Sequence, residues 1–128
     1  MRLGYTIIYV ADVAATIEFY ERVFGLQRRF VDDSGMYGEL DTGETTLAFA
    51  AEPMAQANGL SIRPNRPADL PAGFEIALVT DDPHSAYAQA VAAGAVPVSA
   101  PATKPWGQLV GYVRDGNGCV VEICSPLP

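Results

Sequence analysis

An internal repeat constrains this chain more than any other feature of its sequence. The apolar run Thr6-Ile7-Ile8-Tyr9-Val10 leads to Asp12, a helical pattern follows, and Gly25 ends it before Leu26. Later, Ile76-Ala77-Leu78-Val79 leads to Asp81, a second helical pattern follows, and Gly94 ends it before Ala95. The Asp-to-Gly interval is 13 residues both times (25 − 12 and 94 − 81). Self-similarity of this kind predicts a fold built from two copies of one unit.

Each copy reads as a strand, an Asp near the helix N-cap, about three turns of helix, a Gly at the C′ position, and then further strands. In the first helix Val13, Ile17, Tyr20 and Phe24 recur at helical spacing. The second uses the smaller Ala86, Ala90 and Ala93 with Tyr87 and Val91, after Pro83 at an early helical position. Strand patterns follow the first helix at Gln27 to Val31, Met36 to Leu40 and Thr45 to Ala50, around an Asp41-Thr42-Gly43 turn. After the second they fall at Val96 to Val98, Gln108 to Val113 and Cys119 to Cys124, with the turn Asp115-Gly116-Asn117-Gly118 before the last. The expectation is an α+β fold of two tandem β-α-β-β-β modules, at about 1–51 and 73–128. Between them, 52–72 carries Pro53, Pro64, Pro67 and Pro71 and reads as a surface connector without a domain of its own.

Length and charge narrow the function classes. At 128 residues the chain fits a single domain able to bury its own core. Fifteen acidic against eight basic side chains give a formal charge of −7, with a pI near 4.4. Such a surface repels phosphate backbones and anionic lipid, so neither nucleic acid nor a membrane is an expected partner. The N-terminal residues lack a signal-peptide layout, and the expected location is cytoplasmic. Cys119 and Cys124, five residues apart in one strand pattern, would lie about 16 Å from each other and cannot pair. There is no Gly-rich phosphate loop, no zinc spacing of cysteines, and a single histidine, His84.

Three stretches carry a family resemblance: Tyr9-Val10-Ala11-Asp12-Val13, the run from Ile17 to Leu26 containing Phe19-Tyr20 and Phe24-Gly25-Leu26, and the run from Tyr112 to Glu122 containing Tyr112-Val113-Arg114-Asp115 and Gly118. They resemble the vicinal oxygen chelate superfamily, which includes glyoxalase I, bleomycin-resistance proteins and extradiol dioxygenases. The resemblance covers nearly the whole chain and implies a U-shaped mixed sheet around a cleft, and a homodimer. In metal-dependent members it implies ligands on the first and last strands of each module. Those positions fall here on Tyr5, on Ala48 within a residue, on Glu75 and on Glu122. Two carboxylates thus stand where about two histidines and one or two carboxylates would hold an ion.

Glu122 alternates with Val120 and Cys124 on one strand face while Val121 and Ile123 line the other, so the carboxylate is expected to be buried and to need a partner. An internal Arg or Tyr would serve, as would a functional contact. Glu75 begins an apolar strand and reads either as a solvated strand start or as a second cleft acid. Together the two carboxylates could bind a divalent ion weakly, share a proton as an acid/base pair, or attract a cation. Tyr5 replaces a ligand with a phenol. Glu39 is a further candidate that hairpin polarity alone explains. Trp106, between Pro105 and Gly107, suits either a stacking platform or a loop anchor. His84 sits in the first turn of the second helix beside Asp81 and Asp82, away from the expected cleft. Two functions follow as expectations. One is a protein that binds a planar or cationic small molecule in an acidic aromatic cleft, with no certain cofactor. The other is a divalent-metal lyase, isomerase or dioxygenase with Glu75 and Glu122 as catalytic and ligating residues.

Overall fold

A computed structural model describes residues 1–128. The elements in order are β1 (Tyr5–Val10), α1 (Val13–Phe24), β2 (Gln27–Val31), β3 (Tyr37–Asp41), β4 (Thr46–Ala51), α2 (Glu52–Ala57), β5 (Glu75–Val79), α3 (Pro83–Ala92), β6 (Val96–Thr103), β7 (Leu109–Arg114) and β8 (Val120–Cys124). The chain forms two compact units, Met1–Asn65 and Arg66–Pro128. Each holds one helix after its first strand and one four-stranded mixed sheet, in the orders β1-β4-β3-β2 and β5-β8-β7-β6. The α+β class and the tandem β-α-β-β-β order are those read from the repeat.

In the first unit the last strand slots between the first and third: β1 runs parallel to β4, while β2, β3 and β4 form an antiparallel meander. Asp12 caps α1, its carboxylate accepting from Ala15 N at 3.0 Å. Gly25 closes the helix at φ 70, a backbone region that favours glycine, and its N–H reaches the Glu21 and Tyr20 carbonyls. Val13, Ile17, Tyr20 and Val23 are buried beneath this helix, with the Tyr20 and Phe49 rings 5.0 Å apart. On Gly38 a side chain would come within 3.1 Å of Val13 and 3.2 Å of Ile17, so α1 lies directly on β3. Alternation then sends Glu39, Ala48 and Ile7 to the opposite face.

The second unit repeats the arrangement, with β5 parallel to β8 and β6, β7 and β8 antiparallel. Three sequence expectations change. The cap of α3 is Asp82 and not Asp81: its carboxylate accepts from Ser85 N at 3.0 Å, because Pro83 takes the first helical position and so fixes the cap one residue before it. Strand β6 runs to Thr103, through Pro97 and Pro101, where the sequence reading stopped at Val98. It is an edge strand, and its register shifts around both prolines, which is where proline is tolerated in a sheet. The connector holds a short helix, α2, entered through Pro53.

A tight turn binds the connector to the second sheet. Asp115 is buried and accepts from Asn117 N and Cys119 N, each at 2.9 Å. Arg114 donates to Gly118 O at 2.8 Å and to Asp69 O at 2.7 Å. Gly118 stands at φ 86, and a side chain there would come within 2.5 Å of the Arg66 carbonyl oxygen.

Candidate functional site

Register places the candidate residues in matching positions. Tyr5 opens β1 as Glu75 opens β5. Ala48 pairs with Ile7 and Glu39, just as Glu122 pairs with Ala77 and Tyr112. The two sheets therefore present the same positions with different chemistry.

In the second unit the residues of β5 that alternate toward the face opposite α3, Glu75, Ala77 and Val79, are exposed. Glu122 faces the same way from β8 and is 9% exposed. Glu75 lies two residues before Ala77, the ladder partner of Glu122, and so shares its sheet face. Hydrogen bonding with Glu122, burial and the Glu122 charge raise the Glu75 carboxyl from the usual range to about 7. Burial, the charges of both glutamates and a hydrogen bond to Glu122 push Tyr112 up. Burial and a hydrogen bond to Glu122 push the Cys124 thiol up to about 11. Lys104 Nζ stands 5.7 Å from the centre of the Tyr112 ring. The Cys124 thiol donates to Leu78 O at 3.8 Å, and Tyr112 lies opposite Glu122 in the ladder.

In the first unit Glu39 is 8% exposed and takes hydrogen bonds from Arg29 Nη1 at 3.2 Å and from the Tyr37 hydroxyl at 2.8 Å. Arg29 also donates to Thr46 Oγ1 at 3.1 Å and to Asp41 at 3.3 Å. Burial, then the bond to Glu39, pushes Tyr37 up to about 12. Here the guanidinium compensates the buried carboxylate. Ala48, opposite Glu39, is fully buried and offers only a methyl group. Tyr5 is 58% exposed beside Thr46. Phe30 and Tyr37 place their rings 6.0 Å apart.

Trp106 is exposed in the turn between β6 and β7, its indole N–H donating to Gln108 Oε1 at 2.8 Å. Gln108 in turn donates to Ser125 O at 2.8 Å. His84 is exposed as the second residue of α3. Sequence reasoning gave no role to Tyr112, Cys124, Arg29, Tyr37 or Lys104. Tyr112 was within reach, because residues 112 and 122 lie five positions either side of Asn117 in the turn and so pair across it. Arg29 was not, because its direction depends on the irregularity between Arg28 and Phe30 in the pairing of β2 with β3.

The donors do not fit the divalent ion that metal-dependent members would hold. No group of three or more His, Cys, Asp and Glu is placed to take an ion. At about 11 the Cys124 thiol is no thiolate at neutral pH. What the arrangement can do is donate and accept hydrogen bonds, and release or take up one proton near neutrality.

The sequence pattern of the glyoxalase/bleomycin resistance protein/dioxygenase superfamily matches residues 2–123. No curated protein matches the chain in sequence. Among solved structures, a glyoxalase/bleomycin resistance protein/dioxygenase family enzyme from Burkholderia phytofirmans PsJN is similar, with a TM-score of 0.83 at 24% identity over 98% of each chain. A glyoxalase-related enzyme from Fulvimarina pelagi gives 0.82 at 21% identity, covering 98% of this chain and 88% of its own. TioX from Micromonospora sp. ML1 gives 0.72 at 19% identity over 98% of each.

Proposed function

Because the chain belongs to the glyoxalase/bleomycin resistance protein/dioxygenase superfamily, we propose that it binds a small planar or cationic organic molecule, with the Glu75–Glu122 pair as polar anchor. The observation that carries this reading is the pair itself: a buried carboxyl, Glu122, on the same sheet face as the exposed Glu75, whose carboxyl it raises to about 7. Such a pair accepts a cationic donor by giving up its proton, or a neutral donor by keeping it. Tyr5 and Trp106 supply exposed aromatic surface, suited to stacking on a planar ring.

Benzamidine, planar and cationic, is a suitable probe, with neutral benzamide as its control. In NMR titrations benzamidine is expected to shift the Tyr112 and Glu122 amides saturably. It should lose roughly tenfold in affinity in Glu75→Gln, the worth of about one charge-assisted hydrogen bond. Equal affinity for the variant would count against the anchor, and benzamide binding as tightly as benzamidine would count against a charge-assisted contact.

The raised Glu75 carboxyl supports a second reading, in which the pair moves a proton of a bound substrate. A group at about 7 is well matched to acid/base work at neutral pH. In that reading Glu75 and Glu122 are the catalytic residues. Pairing of two chains also belongs to the proposal: Ile7, Val79 and Val98 are large, exposed apolar side chains on strands, surface a second copy would cover. Light scattering after size exclusion should then give twice the mass of one chain.

A further inference from the structure

We infer that Lys104 anchors an acid group of the bound molecule, so that the ligand of the second unit carries a carboxylate or other oxyanion beside the cationic group that meets Glu75 and Glu122. This rests on the binding function proposed above and narrows its ligand class to ampholytes. Lys104 is the only lysine in the 128 residues. It is half-buried, takes part in none of the ion pairs, and holds its Nζ 5.7 Å from the centre of the Tyr112 ring. Tyr112 lies opposite Glu122 in the ladder, and such cross-strand neighbours project to one side of their sheet. The ammonium therefore stands beside the face that carries the two carboxyls, yet no ion pair joins it to either.

The base of this side chain is fixed. Lys104 to Gly107 form a turn in which Lys104 N donates to Gln108 O and Gly107 N to Lys104 O, each at 2.8 Å. Trp106 donates to Gln108 and Gln108 to Ser125 O, again at 2.8 Å each. A side chain on Gly107 would meet Pro128 at 3.1 Å, so the C-terminal residue lies against the turn. The exposed Trp106 ring is thus held two residues from Lys104 on a braced support. An ammonium over an aromatic ring keeps its full charge, because the ring attracts it through a quadrupole and neutralises nothing. A planar ring with an acid at one end and an amidine or amine at the other would find an ammonium, an aromatic surface and the carboxyl pair. A ligand with positive charge alone would be repelled by Lys104.

The test uses the full chain near neutral pH, titrated by calorimetry with para-amidinobenzoate and with benzamidine, which lacks the acid. The wild type is expected to bind para-amidinobenzoate up to about fivefold more tightly, the worth of one partly exposed ion pair. Lys104→Gln should abolish that preference and Lys104→Arg, which keeps the charge, should restore it. The turn is held through backbone groups of Lys104, so both variants should keep the fold, checked by their amide spectra. A preference that persists in Lys104→Gln would overturn the inference. So would a wild type without preference whose Lys104→Gln variant binds benzamidine more tightly, the mark of a lysine that serves only as a countercharge to Glu122. Saturable benzamidine binding with no gain from the acid refutes this inference and leaves the binding proposal standing, whereas binding of neither compound refutes both.

Discussion

Two buried glutamates, Glu39 on β3 and Glu122 on β8, show how the chemistry of a carboxylate follows from its neighbours. Glu39 is neutralised by Arg29 and held by the Tyr37 hydroxyl. Glu122 has Ala77 and Tyr112 as its ladder neighbours and raises the Glu75 carboxyl on the same face. Truncating Glu39 to Ala should cost about 2 kcal/mol by leaving the half-buried Tyr37 hydroxyl and the guanidinium without their acceptor, measured by urea denaturation. The need for a partner at Glu122 was legible from the alternation of Val120, Glu122 and Cys124. Which partner it takes was not, because cross-strand neighbours follow from register and composition does not encode them.

At the scale of elements, capping chemistry made the two-copy fold legible, since an Asp before a helix and a Gly after it act through bonds within a few residues. The same locality explains where the reading slipped. Asp81 and Asp82 are both competent caps, and only the backbone decides between them. Asp82→Ala should therefore lower stability by about 1 kcal/mol while Asp81→Ala leaves it nearly unchanged; equal effects would contradict the assignment. Prolines misled in β6 and α2 alike, because proline breaks a central strand but suits an edge strand and a first helical turn. The turn before β8 makes a stricter demand. In Gly118→Ala the methyl group meets the Arg66 carbonyl at a φ that disfavours side chains, which should cost about 2 kcal/mol or more and loosen the connector, read as faster proteolysis near Asp69.

For the whole molecule, the carboxyl pair links stability to pH. Glu75 is raised in the folded chain from an ordinary value of 4.5 to about 7. Below 4.5 both states hold the proton and the pair contributes fully. As pH rises toward 7 the unfolded chain releases its proton first, so stability falls, and above the folded value the contribution is gone. With an exposed Glu75 the effect is screened to about 1 kcal/mol, or roughly 4 °C of Tm. Glu75→Gln should be flat across that window and more stable than the wild type above it. No helix of the chain is long and apolar enough to cross a membrane. The most direct measurement of the central claim is a carbon-detected NMR titration of the glutamate side-chain carboxyls. The account predicts that Glu75 titrates at about 7 and returns to the ordinary carboxylate range in Glu122→Gln. A Glu75 that titrates in the ordinary range in the wild type would contradict the coupling of the two carboxyls, and with it the anchor proposed for the ligand.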